Sequence, residues 1–220
     1  MFEHVLLVAH VVVLGYWLGA DLVINATYRY VSWSRGMPFQ ERSRLMEHVM
    51  HVDQHVRYAL VLQLALGVSL ASLKGYLPIG EPTVWVAAVL AAAWIILLEL
   101  VYRRRHSPSG PLLDTIDLAL WVAAGVLLVG ISGASAGGFM SLPGWLTLKL
   151  ALFGGVFLAG VGIRVALMAF FRAWQEVAEK GSSDARETAI RQGYWRATAV
   201  LIGLWLLIGA MVVLSVGKPF

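Results

Sequence analysis

The sequence predicts an all-α integral membrane protein: a single domain over residues 1–220, built as a bundle of six transmembrane helices with both termini outside. Three observations support this prediction. The 220 residues are 59% hydrophobic and 14% charged, with a mean hydropathy of +0.75, which is too apolar for a soluble domain with one core. Six apolar segments are long enough to cross a bilayer core, which needs about 20 residues per helix. Basic residues concentrate in alternate connections between those segments.

The six spanning segments follow one another with polar connections between them. Their expected ranges are 4–28, 55–74, 83–102, 116–136, 144–171 and 194–216. Pro38 is a typical helix start, so the second span either continues from a helix that begins there or follows an amphipathic segment at the headgroups. The polar stretch QEVAEKGSSDARETAIR, residues 175–191, is expected to be a solvated loop with short helical flanks.

Arginine and lysine set the expected orientation. The connections 29–54, 103–115 and 172–193 each carry three or more of these residues, whereas the connections between them are almost bare. By the positive-inside rule the basic connections are cytoplasmic. Topology thus accounts for the net charge of +4, so the expected partner is the lipid bilayer and not nucleic acid. The expected location is a bacterial-type inner (plasma) membrane, which the chain crosses several times.

The chain contains no cysteine, which excludes disulfides, thiolate metal ligands, iron–sulfur clusters and covalent haem attachment. A metal or haem must therefore be held by histidine, methionine, carboxylate, tyrosine or lysine. No P-loop, GxGxxG motif or catalytic triad is present in the sequence, so hydrolase, nucleoside-triphosphatase and dinucleotide-binding functions have no support.

Ionisable residues at membrane depth are the candidates for function, because charges inside a bilayer are costly and usually face the interior of the protein. At 100° per residue, His10, Trp17, Asp21 and Tyr28 lie within about 20° of one line along the first helix, which predicts that this face points inward. Lys149, five residues after Gly144, is expected at a depth similar to that of His10. The ionisable residues expected on the cytoplasmic half, where they could pair with one another, are Asp21, Glu99, Asp117 and Arg164.

The stretch MEHVMHVDQH holds half of the six histidines at the cytoplasmic mouth of the second span. Helical geometry places His48, His51 and His55 within a sector about 60° wide. Neutral imidazole suits zinc, copper, iron and nickel, which favours a metal site. The alternative is that these side chains simply lie at the headgroup boundary. His10 and His55 are expected about 20 Å apart along the membrane normal, too far to ligate one haem.

Three stretches carry a resemblance to known proteins. HVVVLGYWLG places tryptophan seven residues after His10, and it is accompanied by RLMEHVMHVDQHVRYALVLQLALGVSLA and by LPGWLTLKLALF. Together they resemble the HemJ-type protoporphyrinogen oxidases and the CopD-type copper-resistance membrane proteins, as a branch of that group with LGADLVINATYRY where an arginine is expected late in the first helix. The resemblance implies that His10 is associated with haem and that Lys149 is a functional lysine.

The leading functional hypothesis is a membrane redox protein associated with haem b. In it His10 is the axial ligand, and Lys149 binds a haem propionate or a substrate carboxylate, since an anion stabilises an ammonium group at that depth. Lys149 and Asp21 are the candidate catalytic residues.

Two alternatives stay open. The chain could handle copper or another transition metal, and the candidate metal ligands are then His10, His48, His51, His55 and Asp53. It could instead be a non-catalytic membrane subunit, or a homo-oligomer, whose polar residues serve packing with partners. The glycine-rich stretches GISGASAGG and LFGGVFLAGVGIR permit close helix approach and are compatible with either form of packing.

Overall fold

The computed structural model describes residues 1–77, 79–105 and 107–218. Within these ranges all regular secondary structure is α-helical. Each of the six helices is long and apolar enough to cross a membrane. The prediction of an all-α, multi-pass membrane protein is therefore confirmed. The helices are α1 (Phe2–Trp33), α2 (Phe39–Leu73), α3 (Pro82–Arg103), α4 (Gly110–Ala136), α5 (Gly144–Lys180) and α6 (Asp184–Gly217).

The second helix is longer than a membrane crossing needs. It has 35 residues and begins directly after Pro38, whose carbonyl accepts from the backbone N–H groups of Glu41 and Arg42 at 3.0 and 3.2 Å. Of the two alternatives for this region, the continuous helix is the right one. At 1.5 Å per residue α2 extends for about 50 Å, so its histidine-containing part is a helical extension of the apolar span.

The prediction that residues 175–191 form a solvated loop with only short helical flanks is wrong. Helix α5 continues to Lys180 and α6 begins at Asp184, so only three residues separate them. Gly181 ends α5 with φ of +76°, a left-handed value that favours glycine, and Ser183 caps α6 by accepting from the backbone N–H of Arg186 at 3.4 Å. The stretch is rich in glutamate, alanine and arginine, which are good helix formers, so its polarity indicated a solvated helix as well as a loop.

The chain divides into two compact units. The first consists of Met1–Ile24 and Val49–Asp117, and the second of Asn25–His48 and Leu118–Phe220. The expectation of a single domain stays a prediction.

In the first unit, a small apolar core joins α2 to α3. Val61, Ala91 and Leu98 are its buried members, with Tyr58 and Trp94 among the side chains packed against it. At the other end of α2, Lys74 Nζ lies 2.9 Å from Glu3 Oε1 of α1. The hydrogen bond to this carboxylate raises the pKa of the Lys74 ammonium. The three helical segments are thus held together by an apolar core and by an ion pair.

In the second unit, glycines bring helices together. A Cβ atom on Gly193 of α6 would lie 2.8 Å from Cα of Phe170 on α5, and one on Gly154 of α5 would lie 2.7 Å from the carbonyl oxygen of Gly125 on α4. Neither contact leaves room for a methyl group. The backbones of α4, α5 and α6 therefore approach one another more closely than side chains would permit.

The inward face expected for α1 is confirmed by burial. Trp17, Asp21 and Tyr28 are 1%, 7% and 7% exposed, and His10 is half-buried. On the same helix the side chains between them, such as Val12 and Leu22, are more than half exposed. Period and polarity alone were enough to orient this helix.

Candidate functional site

His10 faces α2 within the first unit. Its Nε2 lies 3.5 Å from Nε2 of Gln63, and a Cβ atom on Gly67, one turn further along α2, would lie 3.5 Å from His10 Cε1. Gln63 is 6% exposed, and among the described residues its Oε1 has no hydrogen-bond partner. Turning the Gln63 amide over places that oxygen opposite the imidazole N–H, which then has an acceptor. The amide of Gln63 can therefore set both the tautomer and the orientation of the His10 ring.

The residues around His10 fit a haem in ligand chemistry. They supply one imidazole, a side chain that binds haem iron, and an amide that can hold the ring in place. His55 does not complete a pair, because it precedes Gln63 by eight residues and so lies about 12 Å away along α2. That separation is shorter than the expected 20 Å but still excludes two imidazoles on one iron. The arrangement suits an iron with one axial histidine from this unit.

Lys149 and Asp21 are the proposed catalytic residues. Asp21 is buried in the first unit. Lys149 belongs to the second unit, where its Nζ donates to Oγ of Ser215 at 2.8 Å, and that hydroxyl donates to the carbonyl oxygen of Met211 at 2.7 Å. A hydroxyl of α6 thus fixes the ammonium group of α5.

The histidines of α2 divide into an adjacent pair and a separate residue. The rings of His51 and His55 lie edge to face with centroids 5.2 Å apart, and His51 Nδ1 is 3.3 Å from the Tyr102 hydroxyl of α3. The shared face predicted for these two residues is confirmed. His48 is exposed and belongs to the second unit.

Asp53 lies on another face of α2. It follows His51 by two residues, a rotation of about 200°. Its Oδ2 accepts from Nε of Arg57 at 3.2 Å, and Nη1 of Arg57 lies 3.5 Å from Oδ2 of Asp117, which is 0% exposed. Asp53 is thus engaged in an ion-pair network toward α4 instead of facing the His51–His55 pair. In the described ranges no group of three or more His, Cys, Asp or Glu residues has a geometry that could hold a metal ion.

Glu99 has partners that the sequence analysis missed. The Tyr58 hydroxyl of α2 donates to one carboxylate oxygen, and Nε of Arg103 donates to the other. Buried Gln54 donates to the Tyr58 hydroxyl at 3.1 Å and to the carbonyl of Leu98 at 2.9 Å. The i, i+4 spacing of Glu99 and Arg103 was the available signal.

This cluster forms the polar end of a groove of about 480 Å³, which we call the α3 groove. The lining residues are Tyr58, Ile95, Ile96, Glu99, Leu100 and Arg103. Ile96 is 61% exposed, so the apolar part of the groove lies on the surface of the protein. Spacing along the chain does not indicate this groove, because Tyr58 of α2 lines it together with five residues of α3.

A buried ion pair is the most unexpected feature of the second unit. Arg42 Nη1 and Nη2 donate to the two carboxylate oxygens of Glu187 at 2.8 and 3.0 Å, and both side chains are at most 2% exposed. Arg42 Nε donates to the carbonyl of Val31 at 3.0 Å, and its guanidinium lies 5.1 Å from the ring centroid of Trp174. In the sequence Arg42 is one of several basic residues in a connection, and nothing distinguishes it.

Comparison with protein-family models, curated proteins and solved structures found no match to this chain. The resemblance to the HemJ and CopD groups stays a prediction, supported by the quoted stretches alone. The function of this chain is therefore inferred from the arrangement of its side chains.

Proposed function

We propose that this chain is a haem-b-associated redox protein of a bacterial-type inner membrane, with His10 as the axial ligand. The observation that supports it most is the contact of His10 with Gln63 and Gly67. The imidazole is half-buried at membrane depth, and the Gln63 amide beside its Nε2 is placed to orient the ring. Haem, when bound, supplies one-electron chemistry.

The neighbouring residues have separate tasks in this proposal. Gln63 orients the imidazole, and Gly67 presents no side chain of α2 to the ring. Lys149, held by Ser215, is the cation proposed to bind a propionate or a substrate carboxylate. Asp21 is a buried carboxylate proposed to exchange protons with the substrate.

Metal handling is the second candidate, favoured by the His51–His55 pair. Two imidazoles at i and i+4 on one helix, with ring centroids 5.2 Å apart, can bind one copper or another transition metal ion. The carboxylate of Asp53 is occupied by Arg57, so further ligands would be water or a partner molecule. A role as a non-catalytic subunit predicts neither haem nor metal.

One experiment separates these functions. Absorption spectra of the chain purified in mild detergent, oxidised and dithionite-reduced, are recorded with metal analysis of the same sample after expression with added haem. We expect a Soret band that shifts on reduction, is lost in His10→Ala and is kept in His4→Ala, a matched histidine change on the same helix. Copper or zinc without a Soret band would instead support the second candidate, and absence of both would overturn both.

A further inference from the structure

The α3 groove has the composition of a site for an amphipathic ligand. Ile95, Ile96 and Leu100 form its apolar wall, and the cluster of Tyr58, Glu99 and Arg103 closes one end. Its volume of about 480 Å³ lies within the range of small-molecule sites. Because Ile96 and Leu100 are 61% and 38% exposed on a helix that spans the membrane, the apolar wall is open to the hydrocarbon of the bilayer.

The depth of the polar end limits the ligand to one with its headgroup near the membrane surface. Glu99 lies four residues before the last residue of α3, or about 6 Å along the axis. The basic run that begins at Arg103 follows directly. A ligand here would place its polar head at the interface and its tail along α3.

The charge of the cluster favours a neutral headgroup. The Glu99 carboxylate is compensated by Arg103, so the polar end carries one negative and one positive group. A phosphate would gain attraction from Arg103 but would meet the Glu99 carboxylate on the same helix face, whereas an uncharged head can accept from Arg103 without bringing a second negative charge to Glu99. Arg103 gives only its Nε–H to Glu99 in the contacts described, and a guanidinium has four further N–H groups for such oxygens.

Hydrogen-bonded and aromatic side chains lie next to the polar end of the groove. Gln54 donates to the Tyr58 hydroxyl, which donates to Glu99, and the His55 ring lies 6.0 Å from the Tyr58 ring. A headgroup in contact with Arg103 and Glu99 would therefore touch one hydrogen-bond donor and one acceptor. A ring with two oxygens, which needs acceptors when reduced and donors when oxidised, matches this set.

We propose that the α3 groove binds a lipid-soluble quinone, with a ring oxygen accepting from Arg103 and its alkyl tail along Ile95, Ile96 and Leu100. The site goes beyond the proposed haem function and does not depend on it. The ligand is a neutral amphiphile that enters from the bilayer, and no step of electron transfer is part of the proposal.

Photoaffinity labelling with an azido-benzoquinone carrying a short alkyl chain tests the site. The full chain in lipid nanodiscs is illuminated with the probe, and labelled peptides are identified by mass spectrometry. We expect label on the part of α3 that includes residues 95–103, displaced by excess unlabelled benzoquinone with the same chain. Ile96→Trp, which fills the groove, should weaken the competition by about tenfold or more, a free-energy loss of about 1.4 kcal/mol.

Leu90→Trp is the matched control, since Leu90 is a similarly exposed residue of α3 (64%) that does not line the groove and lies about 120° around the helix from Ile96. It should label like the original chain. Label displaced equally well by phosphatidylglycerol, or label that Ile96→Trp leaves unchanged, would overturn the proposal. Labelling is measured on samples with and without a Soret band. The labelling result can therefore be interpreted even if no haem is bound, and the haem result can be interpreted even if no label is found.

Discussion

Arg42 uses its guanidinium on three partners that come from three parts of the chain. It donates to the Val31 carbonyl near the end of α1, to the Glu187 carboxylate at the start of α6, and lies over the Trp174 ring of α5. Only a planar group with several fixed N–H vectors satisfies two carboxylate oxygens and a carbonyl at once. The main energetic consequence of such a buried pair is that removing one member leaves the other as a buried, uncompensated charge, which is strongly destabilising.

Replacing Arg42 should therefore be severe. Arg42→Ala leaves Glu187 buried without its cation, and we expect the free energy of unfolding to fall by about 3–5 kcal/mol. Arg42→Lys should recover only part of that loss, because an ammonium cannot reproduce the bidentate contact. The measurement is reversible unfolding in mixed micelles with increasing SDS.

Arg44→Ala is the control for Arg42→Ala. Arg44 lies two residues away on the same helix, and its pair with Glu41 is 3.4 Å long with both side chains more than half exposed. An exposed pair contributes about 0–1 kcal/mol, so this variant should unfold almost as the original does. Equal losses for Arg42→Ala and Arg44→Ala would contradict the role given to the buried pair.

At the scale of elements, the contact of α5 with α6 depends on a missing side chain. The Cβ position of Gly193 lies 2.8 Å from Phe170 Cα and 3.1 Å from Phe170 N, which are backbone atoms that cannot turn aside. Gly203, ten residues later on α6, has no atom within 4 Å of its Cβ position. The two glycines differ in packing and not in the helix that carries them.

Alanine substitutions should separate these two glycines. Gly193→Ala forces the helices apart, and we expect it to reduce the free energy of unfolding by about 1–3 kcal/mol. Gly203→Ala should leave stability unchanged or raise it by up to about 1 kcal/mol, since alanine is the better helix former. Thermal unfolding followed by circular dichroism in detergent gives the comparison, and a stabilised Gly193→Ala variant would refute the close contact.

The sequence was sufficient for those features that depend on one helix at a time. Hydropathy predicted all six helices, and period predicted the buried face with Trp17 and Asp21, because both signals repeat along a single element. Prediction from the sequence failed for contacts between two helices. The carboxylate partner of Arg42 and the tyrosine partner of Glu99 come from other helices, and Asp53 was grouped with His51 although their side chains point to different faces. Pairing across elements is set by tertiary packing, which spacing in the chain does not encode.

At the scale of the whole molecule, the orientation in the membrane follows from charge and stays a prediction. Positive-inside counting places both termini outside and the connection between α1 and α2 in the cytoplasm. The absence of cysteine makes the orientation directly measurable, since any introduced thiol is the only one in the chain. Gly36 and Ser141 are exposed residues in connections expected on opposite sides.

A membrane-impermeant maleimide should distinguish the two sides. In intact cells Ser141→Cys should be labelled, and Gly36→Cys should be labelled only after the membrane is permeabilised. Labelling is read by the mass shift of the purified chain, with the cysteine-free original as the background. The opposite pattern would reverse the orientation and place the α3 groove's polar end at the outer surface.

The distance in sequence between Arg42 and Glu187 has a consequence for biosynthesis. The two residues are 145 positions apart, so the ribosome, at about 5–20 residues per second, needs about 7–30 seconds to deliver the second after the first. Until α6 emerges, the guanidinium has no carboxylate, and the segment before the second span must wait in water or on a chaperone. A nascent chain that stops after α5 would carry an uncompensated cation at a position that is buried in the finished protein, so the ion pair forms only in a chain that includes the start of α6.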